Sequence, residues 1–127
     1  MLDLANVAET FEKSKVFVLV SSVLTWARTK QDDPEEETPF SEEDYRRRKP
    51  HPNFVEHCAA EKALVKAAKK VKKNFSAFIV ASGLTYGLGE NVFHYYFKSA
   101  WHNASELTVI GDGTNVIPTI YITDLAS

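Results

Sequence analysis

Lys15-Val-Phe-Val-Leu-Val-Ser-Ser22 is the stretch on which the fold turns. A strand with one wet face alternates apolar and polar residues. Val16, Phe17, Val18, Leu19 and Val20 leave no polar alternate, and three of them are β-branched. The run is too short for an ordinary helix, so it predicts a strand buried on both faces, the kind found in parallel sheets. On its amino-terminal side, Leu4, Val7, Ala8 and Phe11 recur at helical spacing and predict a helix over Leu2–Ser14. On its carboxyl side, Phe54–Lys73 carries Val55, Cys58, Ala59, Leu64, Val65, Ala68 and Val71 on one helical face. Lys66, Lys69, Lys70, Lys72 and Lys73 lie on the outside and at the end of that helix, where cations suit the dipole. Ser76–Ala81 is a second strand of the buried kind, ended by Ser82-Gly83 and by the turn Tyr86-Gly-Leu-Gly89. A helix follows over Asn91–Asn103, capped by Asn91, with Phe93, Tyr96, Phe97 and Trp101 as a core-facing aromatic stripe. Leu107–Ile110 and Val116–Ile122 read as further strands around the turn Gly111-Asp-Gly113, and Asp124 opens another helical segment. Helix and strand in alternation predict an α/β domain with a parallel sheet and right-handed crossovers.

Between the first strand and the long helix the chain makes a charged excursion. Gln31–Asp44 contains eight acids and no base, and Arg46–Lys49 follows with four bases. Residues 31–49 are therefore expected to form a solvated surface loop, ended by Pro50 and Pro52. The 127 residues, 44% apolar and 25% charged, suit one ordinary globular domain with a core. The net charge of −2 gives no general pull toward nucleic acid. The lysine face of the long helix also lacks interleaved aromatics, so no nucleic-acid partner is expected. No apolar run is long enough to span a bilayer, and the first residues lack the basic and apolar regions of a signal peptide. A single cysteine, Cys58, excludes an internal disulfide framework and fits a reducing, cytoplasmic setting. No His/Cys set has metal-ligand spacing; His51, His57, His94 and His102 read as ordinary core or surface residues, and no metal is expected. The chain opens on a helix feeding a strand and closes on a helix just begun, so it is expected to be an excerpt.

In such folds ligands bind at the carboxyl ends of strands. Three of those ends carry polar or glycine-bearing turns: Ser21-Ser22, Ser82–Gly89 and Asp124. With Trp26-Ala27, the turn Thr85-Tyr-Gly-Leu-Gly89, and Gly111-Asp-Gly-Thr-Asn115 running into Ile120-Tyr-Ile-Thr-Asp-Leu-Ala126, they resemble the extended short-chain dehydrogenase/reductase family. That family includes the NAD-dependent sugar-nucleotide epimerases and dehydratases. The resemblance implies the carboxyl-side part of a Rossmann-like parallel sheet domain: a single partial, epimerase/dehydratase-like domain over residues 1–127. The family uses a Ser or Thr at the strand end, a Tyr as proton carrier, and a Lys one helical turn later that depresses the Tyr pKa and holds the nicotinamide ribose. Ser22 matches the Ser/Thr and Lys62 matches the Lys, but the Tyr position falls on Cys58, whose thiol lacks the phenol's reach. Ser21 and Ser22 also fit a bland role as turn-stabilising hydroxyls.

Other departures agree. Ala81 and Leu84 stand where the family has an Arg and an Asn, and Ile117 stands where many members place a phosphate-binding Arg. No Gly-x-Gly-x-x-Gly turn is present. No catalytic residue is therefore expected among Ser22, Cys58 and Lys62. Ser22 and Lys62 are at most remnants of an NAD site, and no cofactor is expected in this segment. More narrowly, Pro39-Phe-Ser-Glu-Glu-Asp-Tyr-Arg-Arg-Arg-Lys-Pro-His-Pro52, His57-Cys-Ala-Ala-Glu-Lys62, Ala81-Ser-Gly-Leu-Thr-Tyr-Gly87, Asn91-Val-Phe-His-Tyr95 and Asn115-Val-Ile-Pro-Thr119 resemble the epimerase-like region of a ciliary member of the adenylate kinases. That resemblance implies a parent protein transferring phosphate from ATP to AMP. No Gly-x-x-x-x-Gly-Lys phosphate loop occurs in this chain, so the kinase chemistry would reside elsewhere. The implied partners are the missing amino-terminal half of the same domain, a carboxyl-terminal kinase domain and axonemal proteins, and the implied location is the cilium. The leading reading is a non-catalytic scaffold or regulatory segment. An NAD-dependent epimerase or oxidoreductase fragment and an NAD(H)-sensing module are the alternatives.

Overall fold

Strands β1 (Lys15–Ser22) and β2 (Phe75–Ser82) form on the two apolar runs and lie side by side in a two-stranded sheet. They belong to a computed structural model that describes residues 4–31, 39–71 and 74–127. The expected starts and ends at Leu2, Lys72 and Lys73, and the acidic residues 32–38, lie outside the described residues. The Lys15 N–H donates to the Asn74 carbonyl at 2.8 Å, just as β2 begins, so the strands start together. Between them the chain passes through helix α2 (Val55–Lys70), which makes the connection a β–α–β crossover. Asn74 adopts φ +58°, and its amide donates to the Phe11 and Glu12 carbonyls at 2.9 and 3.2 Å. Asn tolerates this left-handed backbone, so the residue ties the approach to β1 onto the entry of β2.

Two compact units divide after Ala81. In the first, helix α1 (Leu4–Ala8) packs on α2, and Ala8, Leu64, Val71 and Phe75 form the buried cluster. Phe11, Leu19, Ala67, Ala68, Ala77 and Ile79 pack around it. Leu19, Ala77 and Ile79 are alternate strand residues and share one sheet face. The other face holds Val16, Val18, Val20, Phe78 and Val80, which remain 38–63% exposed. Burial of both faces was the sequence expectation; one face is open and the other only partly covered, with Phe17 still 42% exposed. The helices supply a single layer, and a pleated strand must send every second side chain the other way.

In the second unit, β3 (Leu84–Tyr86) pairs in parallel with β4 (Thr119–Tyr121), Leu84 opposite Thr119 and Tyr86 opposite Tyr121. The expected strand Val116–Ile122 is shortened at its start. Pro118 has no N–H to give a ladder, though its carbonyl accepts from Leu84 N–H at 2.9 Å. Leu107–Ile110, also expected as a strand, makes no ladder; Val109 and Ile110 stay exposed. Gly87 follows β3 at φ +93°, where a Cβ would meet the Tyr121 ring at 2.0 Å, so only glycine fits the turn. Helix α3 (His94–Trp101) is shorter than expected and begins after Phe93 rather than at Asn91. Its aromatic stripe is not core: Phe97 is 59% and Trp101 84% exposed, because every buried apolar side chain among the described residues lies in the first unit. Helix α4 (Ile122–Ala126) closes the chain where Asp124 predicted helix. The architecture is mixed α/β with short parallel strands in open sheets, consistent with a partial Rossmann-like domain.

Candidate functional site

The carboxyl end of β1 is where a parallel α/β sheet presents its chemistry, and polar side chains do gather there. Ser21 Oγ donates to Glu61 Oε1, and Arg48 Nη2 pairs with Glu61 Oε2. Glu61 is fully buried and Arg48 is 8% exposed. Glu61 reaches this place because α2 buries Cys58, Glu61 and Leu64 at three-residue spacing on one face. Arg48 arrives from the charged excursion, which is stapled at its base. Arg28 N–H donates to the Lys49 carbonyl at 2.9 Å, Lys49 N–H to Thr29 Oγ1 at 2.9 Å, and His51 N–H to the Leu24 carbonyl at 2.8 Å. A cation–aromatic stack continues the anchorage: Arg48 lies over Trp26 at 5.8 Å, Trp26 packs on Phe40 at 5.8 Å, and Arg47 lies over Phe40 at 5.9 Å.

Residues 39–49 thus differ from the expected solvated loop at Arg48, whose charge is buried because Glu61 awaits it. The same segment makes a local turn over Glu42–Arg46. Ser41 N–H donates to Asp44 Oδ2 at 2.8 Å, and Arg47 Nε pairs with Asp44 Oδ1 at 2.9 Å. The Ser41 backbone bond, then Arg47, hold the Asp44 carboxyl below its usual range. Arg46 Nε donates to Tyr45 Oη at 3.0 Å, and this bond, with Lys69 nearby, lowers the Tyr45 phenol.

The three positions that the sequence singled out have separate roles. Ser22 Oγ accepts from Leu24 N–H at 3.2 Å and its carbonyl from Thr25 Oγ1 at 2.8 Å, so Ser22 caps the turn Val23–Thr25. Cys58 is buried in α2. Lys62 is exposed and lines a shallow depression with Tyr45, Arg48, Val65, Lys66 and Lys69. Among the described residues no hydrogen bond joins any two of Ser22, Cys58 and Lys62. Arg48 and Glu61 were missed, and Ser21 was read as part of the polar strand end or as a turn-stabilising hydroxyl, without its tie to Glu61. The signal for Glu61 was present: an acid lying between Cys58, Leu64, Val65 and Ala68 on an apolar stripe is a buried charge in need of a cation. Nothing in the sequence named Arg48 among four consecutive bases. No group of three His, Cys, Asp or Glu side chains that could hold a metal stands together among the described residues. No helix among them is long and apolar enough to cross a membrane.

Over 118 residues, 91% of its length, the chain is 55% identical to adenylate kinase 7 of Mus musculus. The chain is homologous to a part of adenylate kinase 7. A second adenylate kinase 7, from Macaca fascicularis, is 48% identical over 68 residues, 53% of this chain. The chain spans 19% of the mouse adenylate kinase 7 and the match covers 13% of the macaque protein. No family model matches the chain, and no solved structure matches it. The 127 residues themselves contain no Gly-x-x-x-x-Gly-Lys string.

Proposed function

We propose that this chain is a non-catalytic scaffold or regulatory segment of a ciliary adenylate kinase, built on an epimerase-like, Rossmann-type partial domain. The whole protein transfers phosphate from ATP to AMP, and its kinase domain lies outside this sequence. The observation that carries the reading is the 55% identity to adenylate kinase 7 across nearly the whole chain. The buried Ser21–Glu61–Arg48 network supports the absence of chemistry. Where the epimerase family would present a free hydroxyl, a tyrosine and a lysine, Ser22 Oγ is taken by Leu24 N–H, a buried Cys58 stands in place of the tyrosine, and Lys62 is exposed without a hydrogen bond to either. The open sheet face of Val16, Val18, Val20, Phe78 and Val80 supports a partner within the longer protein, the amino-terminal half of the same domain. Axonemal proteins are the further partners in this reading, and the cilium is the location.

Cys58→Ala in the full-length protein tests it. Phosphoryl transfer from ATP to AMP stays within about threefold of the parent, under about 0.7 kcal/mol of activation free energy. Neither protein moves hydride between a nicotinamide cofactor and a sugar nucleotide. A parent that oxidises or epimerises such a substrate, and loses this with Cys58→Ala, overturns the non-catalytic reading. Failure of a tagged segment to enter the axoneme of ciliated cells overturns the ciliary one.

A further inference from the structure

The depression between the Glu42–Arg46 turn and α2 encloses about 250 Å³ and is lined by Tyr45, Arg48, Lys62, Val65, Lys66 and Lys69. We propose that it binds a small polyphosphate, with the lysine ammonium groups and Tyr45 Oη contacting the phosphate oxygens. The three lysines stand at i, i+4 and i+7 of α2, so they share one helical face. Lys69, in the last turn, is accounted for by the helix dipole; Lys62 and Lys66 are not, and like charges one turn apart repel. Among the described residues no carboxylate is ion-paired to any of the three. The nearest acid in the helix, Glu61, is already committed to Ser21 and Arg48.

Three strongly hydrated point charges around one small concavity match closely spaced negative oxygens, the chemistry of a phosphate chain. A peptide carboxylate series would spread over a longer groove than this one. The lining is otherwise apolar, from Val65, the Tyr45 ring and the lysine stems, and could pack a flat ring carried by the phosphates. Neither Ser22 nor Cys58 lines the depression. The proposal is independent of the scaffold reading, since binding here requires no turnover.

The test is calorimetric titration of the chain, at a low micromolar concentration where sedimentation finds a monomer, in low salt with tripolyphosphate, ATP, inorganic phosphate and a hexaglutamate peptide. Tripolyphosphate is expected to bind saturably at one site and to weaken steeply with salt. The double variant Lys66→Gln, Lys69→Gln is expected to weaken it at least about tenfold, while Lys70→Gln and Lys98→Gln, outside the lining, stay within about twofold. Gln preserves helix propensity, and circular dichroism checks that the variants fold. Lys66→Arg retains charge and is expected to retain binding. ATP binding more tightly than tripolyphosphate assigns the apolar lining to a base; equal affinity restricts the ligand to the phosphate chain. The proposal is overturned by absence of saturable tripolyphosphate binding, by equal weakening in Lys70→Gln, or by tighter binding of hexaglutamate.

Discussion

Glu61→Ala is the most informative single change in this protein. Glu61 has no exposed surface and Arg48 keeps 6% of its side chain exposed, so the pair sits outside the regime of solvated surface ion pairs. Removing the carboxylate strands a buried guanidinium whose Nε already lacks a partner, and takes the acceptor from Ser21 Oγ. Breaking a buried pair from one side costs about 3–5 kcal/mol. The total stability of a domain is about 5–15 kcal/mol, so the loss is a large fraction of the whole. With a urea slope of about 2 kcal/mol per molar, the midpoint should fall by about 2 M. Replacing both partners, Arg48→Met with Glu61→Leu, removes the desolvation cost along with the attraction. It should stay within about 1 kcal/mol of the parent. Trp26 is the natural reporter, because Arg48 lies over its ring and Phe40 packs on it. A Trp101→Phe background removes the other, exposed tryptophan. Equilibrium urea unfolding at low micromolar concentration, followed by Trp26 fluorescence, of Arg48→Met, Glu61→Leu and their combination completes the double-mutant cycle. A Glu61→Ala cost under about 1 kcal/mol, or a double variant costing the sum of the singles, would refute the buried coupling.

Three further outcomes follow from the same geometry. The chain alone is expected to self-associate at raised concentration through the face of Val16, Val18, Val20, Phe78 and Val80. Val18→Lys with Phe78→Lys should reduce sedimentation of large species, and a monodisperse parent with a sharp cooperative melt would count against this. Gly87→Ala should cost about 1–3 kcal/mol from the positive φ and the Tyr121 ring clash. The cost should shrink in a Tyr121→Ala background, and an unchanged melting temperature would contradict it. The Asp44 carboxyl is held below the ordinary aspartate range, so its contribution to the Ser41–Arg47 turn is complete above that range and is lost as pH falls through the folded pKa. The Ser41 amide resonance should titrate with a midpoint below that of an unpaired aspartate, and a midpoint at or above it would show that the hydrogen bond is absent in solution.

Several parts of this protein were legible from the residues, and the failures have definite causes. The two β-branched runs gave β1 and β2, and the apolar period of Phe54–Lys73 gave α2, within a residue or so where described. The aromatic stripe of α3 and the run Leu107–Ile110 were misread because hydrophobicity says that a face seeks cover, not that cover is present. At the candidate site, the position of Ser22 was legible but its work was not: the hydroxyl spends its lone pair on Leu24 N–H. The adjacent Ser21, one residue earlier and hence on the opposite sheet face, takes the tertiary contact instead.

By itself the sequence determined the order of the helix, strand, helix and strand in the first unit, although the expected helix Leu2–Ser14 ends at Ala8 and the short helical turns before α2 were not foreseen. Helical and strand periodicities are relations between near neighbours in the chain, and they survive without knowledge of the rest. It also determined the turn at Gly87, through the glycines that tolerate positive φ. The tertiary structure alone decided which charge is buried. Ser21 and Glu61 stand 40 residues apart. Choosing Arg48 over Arg46, Arg47 and Lys49 required the base of the excursion to be closed, through Arg28, Thr29, Lys49 and His51, before any side chain could be aimed. Desolvation depends on what surrounds a group in space. The same guanidinium is a surface charge in the sequence and a buried one beneath Trp26 and beside Glu61.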